Sequence, residues 1–143
     1  MATRYLTRDL LKLTRLEHSF VTEAPSVLQP GVLYVSLEYA ITLHLCCCGC
    51  GQEAITPLSP QDWRLTYDGE TVSLWPSIGN WSFPCKSHYW IKEGRVVWAP
   101  QWTDDEIAFG RSVESRRRAL EVNRHEEPAT SSVAKRPWWR RLF

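Results

Sequence analysis

The chain has 143 residues with 17 basic and 16 acidic side chains, a net charge of +1, so it is one domain's worth of sequence without a global field to gather nucleic acid. The charge is unevenly placed: residues 1–109 carry 8 basic and 12 acidic side chains (net −4), residues 110–143 carry 9 and 4 (net +5), and the basic character belongs to the tail. No stretch of about eighteen apolar residues occurs, and Arg4, Arg8 and Asp9 interrupt the start, which excludes a transmembrane helix and a secretory leader and points to a cytoplasmic chain.

Residues 1–11 read as a flexible N-terminus. A strand is expected over Leu16 to Thr22, ahead of Pro25 and the Pro30-Gly31 turn. From Leu33 to Leu45 every odd position is apolar, which is period two and predicts one buried face, on one long strand or on two with a bend near Glu38. Gln52 to Thr56 leads back as the second arm of a hairpin. Asp68-Gly69 and Glu93-Gly94 mark two further hairpins, Trp63 to Tyr67 with Glu70 to Leu74, and His88 to Ile91 with Arg95 to Trp98. Trp75 to Trp81 reads as a loop. Of the eight tryptophans, six fall between Trp63 and Trp102, where an aromatic core is the expectation.

All five cysteines lie in two short segments, Cys46-Cys47-Cys48-Gly49-Cys50-Gly51 and Cys85-Lys86-Ser87-His88. Cys47-x-x-Cys50-Gly51 and Cys85-x-x-His88 have the spacing of two halves of a tetrahedral zinc site, with Gly51 supplying the turn that such a knuckle needs. Three thiolates and an imidazole would close the coordination sphere, and that leaves no position for substrate or water. The fold class is therefore mainly β (α+β), a small antiparallel zinc-stabilised sheet spanning 12–102. Thr103-Asp104-Asp105-Glu106 is a capping box that opens a C-terminal helix over 103–125. Residues 126–143 form a polar linker and a basic aromatic tail, in which Trp138 and Trp139 are positioned to contact a partner or a membrane surface.

The Cys46 to Gly51 run, Thr56-Pro57-Leu58-Ser59-Pro60, the Asp68 to Leu74 hairpin, Pro76-Ser77-Ile78-Gly79-Asn80-Trp81 and Cys85-x-Ser87-His88-Tyr89-Trp90-Ile91 resemble an uncharacterised family of small bacterial proteins with a zinc-ribbon-like site. The resemblance covers roughly residues 12–110. The family's genes neighbour bacterial ubiquitin-like conjugation genes, which implies protein partners among E1-like, E2-like or ubiquitin-like proteins and an accessory or ligase-like role. Relatives with proline at the position of Cys47 imply Cys48, or Cys46, as the ligand alongside Cys50, Cys85 and His88. The reading that follows is a non-enzymatic zinc-binding interaction module, with no catalytic residue assigned and with Ser77, Asn80, Trp81, Trp138 and Trp139 as binding residues. Two alternatives stand beside it: a cysteine-dependent enzyme in which His44 activates a thiol, and a nucleic-acid-binding zinc protein using Arg116 to Arg118. The acidic body argues against the second. No Ser-His-Asp order, P-loop or dinucleotide fingerprint is present.

Overall fold

The odd-position alternation folds as two strands, β2 (Val32–Ser36) and β3 (Ile41–Leu45), joined by a tight turn. In the computed structural model, which describes residues 12–126, the turn has a consequence the alternation conceals. The register pairs Val35 with Thr42 and Tyr34 with Leu43. Paired residues share a face, so the odd residues of β2 lie with the even residues of β3. Leu33 and Val35 point into the main core together with Thr42 and His44, which are fully buried, while Leu43 packs with Tyr34 and Leu28 on the opposite face. The expectation of one apolar face along 33–45 is corrected accordingly. Leu37 and Tyr39, 66% and 57% exposed, sit in the turn.

β1 (Glu17–Phe20) runs parallel to β2, and β4 (Glu53–Pro57) runs antiparallel to β3, which gives a first sheet in the order β1-β2-β3-β4. The second sheet has the order β5-β6-β7-β8, from β5 (Arg64–Tyr67), β6 (Val72–Gly79), β7 (His88–Lys92) and β8 (Arg95–Trp98). The Asp68-Gly69 turn is held by the Asp68 carboxylate, which accepts the N–H groups of Glu70 and Thr71 and the Thr71 hydroxyl. These bonds, that of the Thr71 N–H first, hold the carboxyl down at about 2. The chain is thus mainly β, with two sheets where the sequence predicts one, followed by α1 (Asp104–Glu126). Trp75 to Gly79, read as loop, continues β6, because Ile78 and Gly79 pair with Tyr89 and His88 past an irregularity in the ladder.

The main core joins Leu33 and Val35 of the first sheet to Val72, Leu74, Ile78, Tyr89, Ile91 and Val96 of the second. The tryptophans do not fill it: Trp63 and Trp98 pack on its rim and Trp75 is 58% exposed. Its centre is Tyr89, fully buried. The Tyr89 oxygen accepts the Asn80 side-chain amide at 3.2 Å and the Cys47 N–H at 3.5 Å, so its own hydrogen goes to His44 Nε2 at 2.6 Å. Burial pushes the His44 imidazole down to about 4, so His44 is neutral near pH 7.

The helix α1 lies in a second unit beginning at Asp104. Asp104, Asp105 and Glu106 occupy its first turn, where the helix dipole favours acids, and Glu114 pairs with Arg118 at 3.0 Å one turn on. No described helix is long and apolar enough to cross a membrane. Trp138 and Trp139 lie outside the described residues.

Because three buried groups share the Tyr89 hydroxyl, Tyr89→Phe is expected to cost about 3 kcal/mol. Urea denaturation of the wild type and the variant measures it directly, and a change near zero would mean that the three partners find water instead.

Candidate functional site

Two knuckles meet at one end of the core. The first closes the β3–β4 hairpin: the Cys46 N–H donates to the Gln52 carbonyl at 2.8 Å, and the Gly49 N–H donates to the Cys46 carbonyl. Gly49 and Gly51 adopt φ of 86° and 82°, a region open chiefly to glycine, as the knuckle reading of Gly51 requires. The second turns at Lys86, whose N–H donates to the Phe83 carbonyl. Between them the sulfur atoms of Cys46, Cys48, Cys50 and Cys85 all lie within 4.8 Å of one another. Cys46 to Cys48 measures 3.5 Å, and Cys85 is 3.8 Å from both Cys46 and Cys50. Four thiolates about 2.3 Å from a tetrahedral zinc ion stand about 3.8 Å apart, so the donor set fits such an ion. All five cysteines are free thiols, with no disulfide among them.

The grouping departs from the spacing reading at Cys47 and His88, and it contains both Cys46 and Cys48, the alternatives that the resemblance implies. Cys48, Cys50 and Cys85 are brought together as expected, but Cys46 joins them rather than Cys47. Cys47 lies in the turn that follows β3, fully buried in the core, where its N–H meets Tyr89 and burial pushes its thiol up to about 12. Burial likewise pushes the Cys46 thiol well up. Burial also acts to raise Cys48, but hydrogen bonds from Ser87, Cys50 and Cys46 outweigh it and hold that thiol down at about 7. The second departure is His88, which stands outside the four-sulfur group.

His88 is buried at the start of β7, with both ring nitrogens engaged by oxygen atoms. Nδ1 lies 2.8 Å from the Pro100 carbonyl oxygen, and Nε2 lies 2.8 Å from Ser77 Oγ. A carbonyl only accepts, so Nδ1 carries the proton. In the neutral ring Nε2 is then the bare nitrogen, and the Ser77 hydroxyl donates to it. Ser77 is half-buried on β6, across from the start of β7, and the pairing of Gly79 with His88 sets its approach.

Aromatic rings wall the pair. The Trp81 ring meets His88 edge-on at 4.9 Å between centroids, Trp102 meets it at 5.4 Å, and the two indoles stack on each other at 5.2 Å. Trp81 covers Gly79 so closely that a Cβ there would lie 2.4 Å from the indole. Asn80 ties this wall to the sulfurs: its amide reaches Cys46 Sγ at 3.5 Å as well as Tyr89, and its backbone N–H donates to the Ser87 carbonyl at 2.8 Å. Ser87 Oγ in turn donates to Cys85 Sγ at 3.2 Å.

The family described as "Bacterial ubiquitination-like system serine protease (BubE)" matches residues 20–99, more than half of the chain. This chain belongs to the BubE family. The matched span holds both knuckles, Ser77 and His88, whereas α1 and the C-terminal tail fall outside it. No curated protein and no solved structure matches the chain. The link to a bacterial ubiquitination-like system agrees with the gene neighbourhood implied by the resemblance.

Of the binding residues expected from the sequence, Ser77, Asn80 and Trp81 therefore gather around His88 and the thiols. Ser77 and His88 are eleven residues apart with no local pattern marking them as partners. The only signal was that both lie in motifs of the resemblance, Pro76 to Trp81 and Cys85 to Ile91. His44, weighed as a base for a thiol, is instead neutral and bonded to Tyr89.

The four-sulfur geometry predicts that Cys46→Ser loses bound zinc while Cys47→Ser retains it, as measured by elemental analysis of protein purified with zinc. Equal retention by Cys46→Ser, with loss in Cys47→Ser, would reverse the assignment. Because thiols ligate as thiolates, Cys48 is held at about 7 and burial pushes Cys46 well up, metal affinity should climb with pH from about 6 and still be climbing at about 9 in a chelator competition.

Proposed function

We propose that this chain is a serine peptidase of a bacterial ubiquitination-like system, acting by acyl transfer, with Ser77 as nucleophile, His88 as general base and zinc on four thiolates as a structural brace. The observation that carries the reading is the Ser77–His88–Pro100 chain of hydrogen bonds. It presents a bare imidazole nitrogen to a hydroxyl and fixes the opposite nitrogen as the proton carrier, which is the arrangement a nucleophilic serine needs. The family's description as a serine protease gives independent support. This reading takes the place of the non-enzymatic module expected from the sequence and makes Ser77, there a binding residue, the reacting group.

The steps follow from the geometry. Ser77 Oγ adds to the substrate carbonyl carbon as its proton passes to His88 Nε2. The resulting imidazolium keeps its Nδ1–H on the Pro100 carbonyl. The bond from the carbonyl carbon to the leaving nitrogen then breaks, and that nitrogen takes the proton from Nε2. Water next attacks the acyl group on Ser77, giving its proton to Nε2; the bond from the carbonyl carbon to Oγ then breaks as Nε2 returns that proton to Oγ, which releases the carboxylic acid and restores the serine and the neutral imidazole. A carbonyl in the place of the usual carboxylate orients the imidazole without adding a negative charge beside it.

A bound zinc ion with four thiolates has no open position, so its contribution is to hold the two knuckles together. His88 lies three residues from Cys85, and the brace thereby fixes the base. Membership of a ubiquitination-like system supports protein partners. Reduced, ligating thiols accord with the cytoplasm.

Ser77→Ala and His88→Ala should each lower hydrolysis of p-nitrophenyl acetate by about a thousandfold, with zinc content unchanged. A fluorophosphonate should label Ser77 in the wild type, as read by peptide mass spectrometry. Activity retained in Ser77→Ala, or labelling at another residue, would refute the assignment.

A further inference from the structure

The second sheet is incomplete beside the nucleophile. β5 pairs with β6 from Tyr67 opposite Val72 as far as Arg64 opposite Trp75, and there the pairing stops. β6 itself continues for four more residues to Gly79, held on its other side by β7. The chain that would have continued β5 leaves the sheet at Trp63. The Trp63 N–H donates to the Pro57 carbonyl at 3.1 Å, and the Trp63 carbonyl accepts the Ser59 N–H at 3.2 Å. Among the described residues, Pro76 to Gly79 therefore have no strand partner on the β5 side. Ser77 lies within this stretch, half-buried.

We propose that this open edge is where substrate binds, and that the occupant is an extended polypeptide segment which takes the place β5 vacates and is held through its main chain. The inference rests on the peptidase reading of Ser77. An added strand lies about 4.8 Å from β6. That separation sets the incoming main chain beside Ser77, on the side of β6 opposite the strand that carries His88. Unpaired backbone groups along a sheet edge are a ready template for such a strand, and they recognise any sequence that is extended there; Pro76, which has no N–H, can offer only its carbonyl. Four residues give a docking length of about 13 Å. The substrate class is thus a polypeptide with an unstructured, extended stretch around its scissile bond, and helical or tightly turned segments are excluded. Trp75, exposed at the point where β5 ends and lying under the Arg64 guanidinium at 5.6 Å, bounds the edge on one side, and the stacked Trp81 and Trp102 rings stand beyond Gly79.

The test uses the full chain with a fluorescence-quenched library of octapeptides. The best-cleaved sequence is then remade with a single backbone N-methyl group moved along it, which removes one N–H at a time without changing any side chain. Methylation at alternate positions should lower kcat/KM about tenfold or more, with the intervening positions changing by less than about threefold. A response with no alternation would overturn strand addition. So would the absence of any peptide cleavage by protein whose Ser77 is labelled by a fluorophosphonate, and in both cases the hydrolase reading survives. Absence of Ser77 labelling would remove the reading and the edge proposal together.

Discussion

The functional end of the molecule depends on the constraint imposed by three chain steps between Cys85 and His88. Cys85 faces the sulfurs of the first knuckle, while His88 opens β7 and is turned by the Pro100 carbonyl toward Ser77. A carbonyl cannot donate, so this one hydrogen bond fixes the tautomer of the neutral imidazole. The same short segment therefore serves two centres. Asn80, bonded to Cys46, Tyr89 and the Ser87 backbone, ties the first knuckle to β7 from the β6 side.

The core beneath is unusual in what it buries. Thr42, Thr56, His44 and Tyr89 lie between the sheets with almost no exposure; the Thr42 and Thr56 hydroxyls bond each other and Tyr89 links His44 to Asn80 and Cys47, while His44 Nδ1 is buried without a partner. A polar network of this kind weakens a core unless its members are satisfied. In return it fixes where the Cys46 to Gly51 knuckle sits relative to β7, because Tyr89 immediately follows His88.

Much of the fold was legible in the sequence. Asp68-Gly69 and Glu93-Gly94 announce hairpins because their backbone preferences are local, and the Thr103 capping box announces a helix for the same reason. The pairing parity of β2 and β3 was not legible: it depends on the length of one turn, and a single residue there exchanges the faces of every side chain beyond it. That exchange carries His44 inward. The choice of Cys46 over Cys47 follows from how the hairpin end is oriented, which Cys-x-x-Cys spacing does not encode. Ser77 and His88 meet only through strand pairing, so the sequence could show two motifs but not their contact. The spacing of Cys85-x-x-His88 also fits a metal half-site, and only the Pro100 carbonyl and Ser77 hydroxyl on its ring nitrogens distinguish the histidine's role.

The account turns on His88 being a neutral imidazole with its proton on Nδ1 and its bare Nε2 on Ser77, apart from the metal. Nitrogen NMR of isotopically labelled histidine in cadmium-loaded protein reads both properties at once. The account predicts a protonated Nδ1, an Nε2 signal that shifts in Ser77→Ala, and no cadmium–nitrogen coupling. Resolved coupling between cadmium and a His88 nitrogen, or a proton residing on Nε2, would contradict it.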